Sequence, residues 1–257
     1  MKVVFIGASA FGFECLVTIG QVEAVEIVGI ISNEEKFSIS YNKSGVHNIL
    51  YKDFGEYAEK SNIPFYRMKE NMKEPELQNF LSGCQPELVV VIGWYHMIPS
   101  VMLQQYRFTG IHASLLPDYS GGAPLVWAII NGEKKTGVTF FYFDEGVDSG
   151  DIIAQEEFEI NDVDTIKTVY EKAEVSSREI LKQYLPKLAE GKAPGHKQDE
   201  SKRKIYPQRK PADGEIDWNW DAKRIKDFIR AQTKPYPGAF TIINNKKLII
   251  WDADIDG

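Results

Sequence analysis

A chain of 257 residues with 43% hydrophobic and 26% charged side chains can bury a full core and has the balance of a globular protein, not of a fibrous or disordered one. Its formal net charge of −7 argues against a general nucleic-acid binder, whose affinity rests on basic surface, and leaves only local basic patches open. Two cysteines, Cys15 and Cys84, give neither a disulfide framework nor a Cys-x-x-Cys spacing and fit a reducing cytoplasm.

The N-terminal stretch MKVVFIGASAFGFECLVTIG has the lysine-then-apolar order of a secretory signal, but Glu14 interrupts it. No run approaches the roughly 18 apolar residues of a membrane span, so a soluble chain with no membrane partner is expected. KVVFI (2–6) predicts a short buried strand, followed by the Gly7–Gly12 turn and a helix through Cys15, Leu16 and Ile19. VEIVGIIS (25–32), IPFY (63–66) and PELVVVIGW (86–94) predict further strands, with helical segments near 51–61 and 75–83 between them. This alternation implies right-handed crossovers and an α/β fold with a doubly wound, mostly parallel sheet over residues 1–190. Strand-like runs follow at 137–143 and 152–160, then a long covering helix from Thr165 to Glu190. A polar stretch at 190–204 reads as a linker. Beyond it, a helix near 221–232 and the runs AFTII (239–243) and KLIIW (247–251), joined by Asn244-Asn245-Lys246, predict a short α+β C-terminal subdomain packed on the first domain, within residues 191–257.

Gly7-Ala8-Ser9-Ala10-Phe11-Gly12 follows a strand and opens a helix, yet it is not G-x-G-x-x-G, and no P-loop occurs, so a tight turn is the simpler reading. The four histidines, at 47, 96, 112 and 196, form no His-Glu-x-x-His helix, and no metal is expected. In such folds ligands bind beyond the carboxyl ends of the strands, where the loops at 7–12, 93–99 and 110–124 should lie. The stretch GIHASLLPDYSGGAP (110–124) sets His112 there. A lone histidine is ordinarily structural, but the loop DEGVDSGD (144–151) offers aspartates, and one of them could orient an imidazole by accepting its Nδ1 proton.

HASLLPDYSGGAPLVWAIINGEKKTGVTFFYFDEGVDSGDI resembles the signature region of the N10-formyltetrahydrofolate-dependent formyltransferases, in motif order and spacing. That group contains methionyl-tRNA formyltransferase, glycinamide ribonucleotide transformylase and the sugar N-formyltransferases. The likeness extends more loosely through PELVVVIGWYHMIP (86–99), RKPADGEIDW (209–218) and IRAQTKPYPGAF (229–240). It implies the Rossmann-like formyltransferase fold, with His112 as general base and acid and Asp148 as its partner. An imidazole, with its unperturbed pKa near 6.5, can take a proton from an attacking amine and return one to a leaving nitrogen at neutral pH.

One position departs from the pattern. The family usually carries asparagine two residues before the histidine, as a donor to the oxyanion; here that position is Gly110. Losing such a donor costs on the order of a hundredfold in rate. Either a water, a backbone N–H or Ser114 replaces it, or the chain is a folate- or sugar-nucleotide-binding protein without turnover.

The resemblance places the folate pterin between Tyr95, Met97 and Ile98 on one side and Asp144, Glu145 and Val147 on the other, although Met97 and Ile98 could equally be plain core residues. It assigns the acceptor to Ser9, Phe11, Ser114, Gly121, Tyr206 and Arg209. Lys202, Arg203, Lys204, Arg209 and Lys210 form a basic cluster that suits a diphosphate, or for the lysines a solvated linker. The tRNA-specific relatives carry a basic, glycine-rich insertion after the second strand and a fuller C-terminal domain. Here SNEEKFSISYNKSG (32–45) is mildly charged and the tail is short. Glycinamide ribonucleotide transformylases usually end before such a tail. The sugar N-formyltransferase branch fits best, its acceptor a UDP- or dTDP-linked 4-amino-4,6-dideoxyhexose or a nonulosonic-acid precursor of cell-surface polysaccharide, with no nucleic-acid partner. A methionyl-tRNA formyltransferase is the alternative, and a homodimer stays open.

Overall fold

The computed structural model describes residues 1–39 and 42–256, with backbone alone at 39 and 42–44. The first half of the chain runs β1 (Lys2–Ile6), α1 (Ala10–Ile19), β2 (Glu26–Ser32), β3 (Lys36–Ile39), β4 (Asn42–His47), α2 (Gly55–Lys60), β5 (Phe65–Arg67), α3 (Pro75–Cys84), β6 (Leu88–Val91), α4 (Ser100–Gln105) and β7 (Phe108–His112). The second half runs β8 (Ser120–Gly121), α5 (Pro124–Ile130), β9 (Lys135–Tyr142), β10 (Ile152–Glu159), α6 (Ile166–Ala189), β11 (Ile205–Tyr206), α7 (Ala222–Arg230), β12 (Ala239–Ile243) and β13 (Lys246–Ile250).

Contacts divide the chain into two compact units. The first holds the described residues of 1–112 with Phe140–Gln155 and Ser177–Gln198; the second holds Ala113–Thr139, Glu156–Ser176 and the chain from Asp199 onward.

Seven strands form one sheet in the order β10-β9-β7-β6-β1-β2-β5. The pairs β7/β6, β6/β1, β1/β2 and β2/β5 are parallel, as the strand and helix alternation requires. Val3 to Ile6 and Leu88 to Val91 are buried along their whole length, the pattern of strands covered on both faces. Chain order reverses between β1 and β6, which makes the crevice beyond their carboxyl ends the expected ligand position.

The turn from β1 into α1 is close-packed there. Ser9 caps α1 by accepting from the Gly12 N–H at 3.1 Å, and a Cβ on Gly12 would stand 2.5 Å from the Ile92 carbonyl oxygen. On one sheet face Val4, Ile6, Ile31, Val89, Val91 and Phe108 pack with Leu77 and Leu81 of α3 and Met102 of α4. β6 is shorter than the run 86–94 predicts, because Gly93 turns into the left-handed region (φ +68°) and sends Trp94 into a loop.

In the second unit, Ile216, Phe228, Ile229 and Ala239 form a core that Ile130 of α5 also joins. β12 and β13 pair as an antiparallel hairpin whose turn, Asn244-Asn245, has both residues at positive φ, the geometry such a two-residue connection favours.

Candidate active site

His112 is the last residue of β7, and Asp148 stands in the loop after β9, held at φ +51°. His112 Nδ1 lies 3.6 Å from Asp148 Oδ2, with only 11% and 24% of the two side chains exposed. That is ion-pair range and longer than a hydrogen bond. The Asp148 loop is braced from two directions. The Asp144 carboxylate accepts from the Gly146 N–H and the Ser149 hydroxyl, while the Gln198 amide nitrogen donates to the carbonyls of Asp148 (2.8 Å) and Gly150 (2.7 Å). Gln198 is 8% exposed, and His196 makes reciprocal backbone hydrogen bonds with Ile152, so residues 196–198 are built into the first unit and are not solvated linker.

Gly110 precedes His112 on the same strand face. A Cβ there would stand 2.4 Å from the Val91 carbonyl oxygen and 2.7 Å from two atoms of the Phe143 ring. The ring thus fills the space where an asparagine side chain would begin. The Ser114 hydroxyl is engaged in this structure: it donates to the Asp118 carbonyl at 2.7 Å and the residue is 1% exposed. The loop after His112 is clamped by Thr139, which donates to the Ser114 carbonyl (2.6 Å) and accepts from the Leu116 N–H (3.0 Å).

Among the residues assigned to the pterin, the Tyr95 hydroxyl donates to Asn48 Oδ1 at 3.0 Å. Met97 is 63% exposed and is no core residue, whereas Ile98 packs on the core. Val147 is exposed, and Glu145 accepts a long hydrogen bond from Gln104. Among those assigned to the acceptor, the Ser9 hydroxyl serves as the α1 cap and Phe11 is half-buried in the first turn of that helix.

Gly121 and Tyr206, in the second unit, face each other in the parallel β8/β11 pair. The Tyr206 ring stacks on Tyr119 at 4.5 Å between centroids and 13° between planes. Burial and the Glu133 carboxylate raise the Tyr119 pKa, so its phenol stays protonated. Arg209 lies over Trp127 at 4.8 Å and donates to the Asp213 carbonyl and Gln232 Oε1. No carboxylate among the described residues pairs with its guanidinium, whose pKa burial lowers. Arg203, by contrast, is bound to Glu200. Residue spacing pointed to neither Gln198 nor Phe143: the first lies in a polar stretch and the second reads as one more strand residue.

No group of three or more His, Cys, Asp or Glu among the described residues could hold a metal ion, and no helix among them is long and apolar enough to cross a membrane.

Fold and site define a doubly wound α/β protein with an imidazole–carboxylate pair at the carboxyl end of its strands. The chain belongs to the formyl transferase family: residues 1–185 match the family described as formyl transferase, and residues 209–257 match its C-terminal domain. It is 31% identical over 257 residues to the methionyl-tRNA formyltransferase of Caldanaerobacter subterraneus subsp. tengcongensis, covering 99% of this chain and 81% of that one. To the methionyl-tRNA formyltransferase of Citrifermentans bemidjiense it is 32% identical, covering 98% and 77%. Among solved structures, a sugar N-formyltransferase from Shewanella sp FDAARGOS_354 superposes with a TM-score of 0.76 at 20% identity, covering 100% of this chain and 99% of that one. A 4-N formyltransferase from Francisella tularensis gives 0.74 at 22%, covering 99% and 98%.

Proposed function

We propose that the chain transfers the formyl group of N10-formyltetrahydrofolate to the amine of a nucleotide-linked deoxyamino sugar. The observation that carries the chemistry is the His112–Asp148 pair, 3.6 Å apart on a formyl transferase fold. The acceptor amine attacks the formyl carbon, the bond from that carbon to folate N10 breaks, His112 takes the amine proton, and N10 gains a proton as it leaves. Asp148 holds the imidazole tautomer that presents a basic Nε2. In this reading residues 1–190 form the catalytic domain and 191–257 the linker and C-terminal subdomain. Tyr95, Ile98 and Val147 offer the aromatic and apolar surface a pterin needs, and Asp144 and Glu145 the polar edge.

For the acceptor, Arg209 supports a sugar nucleotide. It is a half-buried cation that, among the described residues, makes no carboxylate ion pair, although the Asp213 charge acts on it; it lies over Trp127, whose ring neighbours Tyr206, and suits a diphosphate. The net charge of −7 weighs against tRNA. The second reading, methionyl-tRNA formylation, is favoured by the sequence relatives at 31% and 32% identity.

The test is a mass-spectrometric formylation assay with N10-formyltetrahydrofolate against UDP- and dTDP-linked amino sugars and against methionyl-tRNA. A product heavier by one CO on a sugar supports the proposal, and formylation of methionyl-tRNA alone replaces it with the second reading. Folate binding with no product on any acceptor makes the chain a binding protein in which Phe143 has taken the donor's place.

A further inference from the structure

His112 closes β7 at its carboxyl end, whereas Arg107 stands at the other end, just before Phe108, the first residue of the strand. Five residues of extended chain separate the two by roughly 16 Å. Beside Arg107 lies a cavity of about 360 Å³, lined by that residue with Tyr142, Leu188, Ala193, Pro194 and Gly195, all in the first unit. The volume is that of a small-molecule site.

Specific contacts build its walls. The Tyr142 hydroxyl donates to the Ala193 carbonyl at 3.0 Å and accepts from the Arg107 guanidinium at 2.6 Å. The guanidinium also lies 5.0 Å from the centre of the Tyr142 ring. A Cβ on Gly195 would stand 2.6 Å from the Asp151 Cβ and 3.0 Å from the Tyr142 ring, so only glycine lets the returning chain close on the phenol. Where the chain leaves α6, the N–H groups of Glu190, Gly191 and Lys192 donate to the carbonyls of Pro186, Leu188 and Lys187. The helix end is thereby capped by its own chain, and its carbonyls do not set the charge of the cavity.

That charge comes from Arg107. Among the described residues it is the one charged side chain in the lining, and it makes no ion pair with a carboxylate. The nearby acids Asp151 and Glu190 are bound instead by Lys197 at 2.9 Å and Lys192 at 2.8 Å. Of the five N–H donors on the guanidinium, Tyr142 takes one.

We propose that this cavity binds a small monocarboxylate with a compact apolar body, its carboxylate on the free fork of Arg107 and its body against Leu188, Ala193 and Pro194. A planar fork matches a carboxylate in two parallel hydrogen bonds, and a single cation balances a single negative charge. A phosphate monoester brings nearly two. The ligand would sit against the neck of the Asp148 loop. The Tyr142 N–H donates to the Asp151 carbonyl at 2.9 Å, and the chain from Gly195 runs on to Gln198, which holds the carbonyls of Asp148 and Gly150.

Benzoate is the probe, titrated calorimetrically into the full chain beside benzamide, benzylamine and phenyl phosphate. Benzoate should bind, and the other three about tenfold more weakly or worse. Arg107→Gln should weaken benzoate about tenfold or more yet melt with wild type, since the exposed side chain gives up one hydrogen bond. Arg107→Lys, with charge but no fork, should fall between the two. Bound benzoate should slow hydrogen exchange in peptides covering 140–152 and 186–198 and leave 110–118 unchanged. Saturating tetrahydrofolate should not alter its affinity. Equal binding to wild type and Arg107→Gln, or protection confined to other segments, would overturn the site. Displacement of benzoate by tetrahydrofolate would do so too, by making the cavity part of the folate position, as would absence of benzoate binding at millimolar concentration.

Discussion

Phe143 and Gly110 exclude each other's side chains. The ring lies 2.7 Å from the place a Cβ on Gly110 would take, and the Val91 carbonyl stands closer still. Gly110→Ala should therefore destabilise the fold by about 1–3 kcal/mol through overpacking, read by thermal denaturation. Gly110→Asn should not speed formyl transfer on its own; paired with Phe143→Ala it should melt higher than the two single losses added together allow. Strict additivity would mean that ring and backbone position are independent.

Removing the imidazole of His112 or the charge of Asp148 should leave folding and nucleotide binding nearly unchanged while lowering turnover. His112→Ala and Asp148→Asn should each cost on the order of 10⁴-fold in kcat. Rates near wild type in His112→Ala would remove the histidine from the mechanism.

Gln198 is the brace of the Asp148 loop. Gln198→Ala leaves two buried carbonyls, those of Asp148 and Gly150, without that donor. Turnover should fall by about tenfold or more through misplacement of the carboxylate, with both substrate KM values little changed. A kcat equal to wild type would show that the loop holds itself.

Arg209 should not tolerate lysine. Its guanidinium lies over Trp127; an ammonium would bring charge to that ring but no flat face and no forked donors. Arg209→Lys should weaken calorimetric binding of UDP and dTDP almost as much as Arg209→Ala. Full retention of binding by the lysine variant would reduce the role to charge alone.

Asp164 carries a pH dependence. Burial by itself would raise its pKa, but hydrogen bonds from Lys172, the Asn161 N–H and Thr168 hold it below the ordinary 3.8. A carboxyl lowered in the fold stabilises above its unfolded value, and the gain is lost as pH falls through the folded value. Wild type should therefore lose melting temperature below about pH 4, and Asp164→Asn should be less stable by about 1–3 kcal/mol at neutral pH, with a flatter acid limb. Parallel melting curves for the two proteins from neutral to acid pH would exclude Asp164 as a source of the acid sensitivity.

The sheet was largely legible in the sequence because its strands are short apolar runs between turn residues. KVVFI and AFTII match β1 and β12 to the residue. The β3/β4 hairpin was not, since KFSI alternates over only four residues and its partner NKSGVH is almost wholly polar. Nor were α4 and α5, which at six and seven residues span too few turns for a period to register. His112 and Asp148 were readable because their motifs are specific. Spacing says nothing about which space a ring fills or which loop a distant amide holds, so Phe143 and Gln198 emerged only from the packing.

The reach of Gln198 back to the Asp148 loop bears on how far this protein can be cut down. A fragment ending with α6 would keep the histidine, the aspartate and every strand of the parallel sheet, yet its acidic loop would have lost its tether. The same cut would strip Ile130 of the core that Phe228, Ile229 and Ala239 build around it, so the C-terminal stretch serves both a reacting pair and a packed unit without supplying a reacting group.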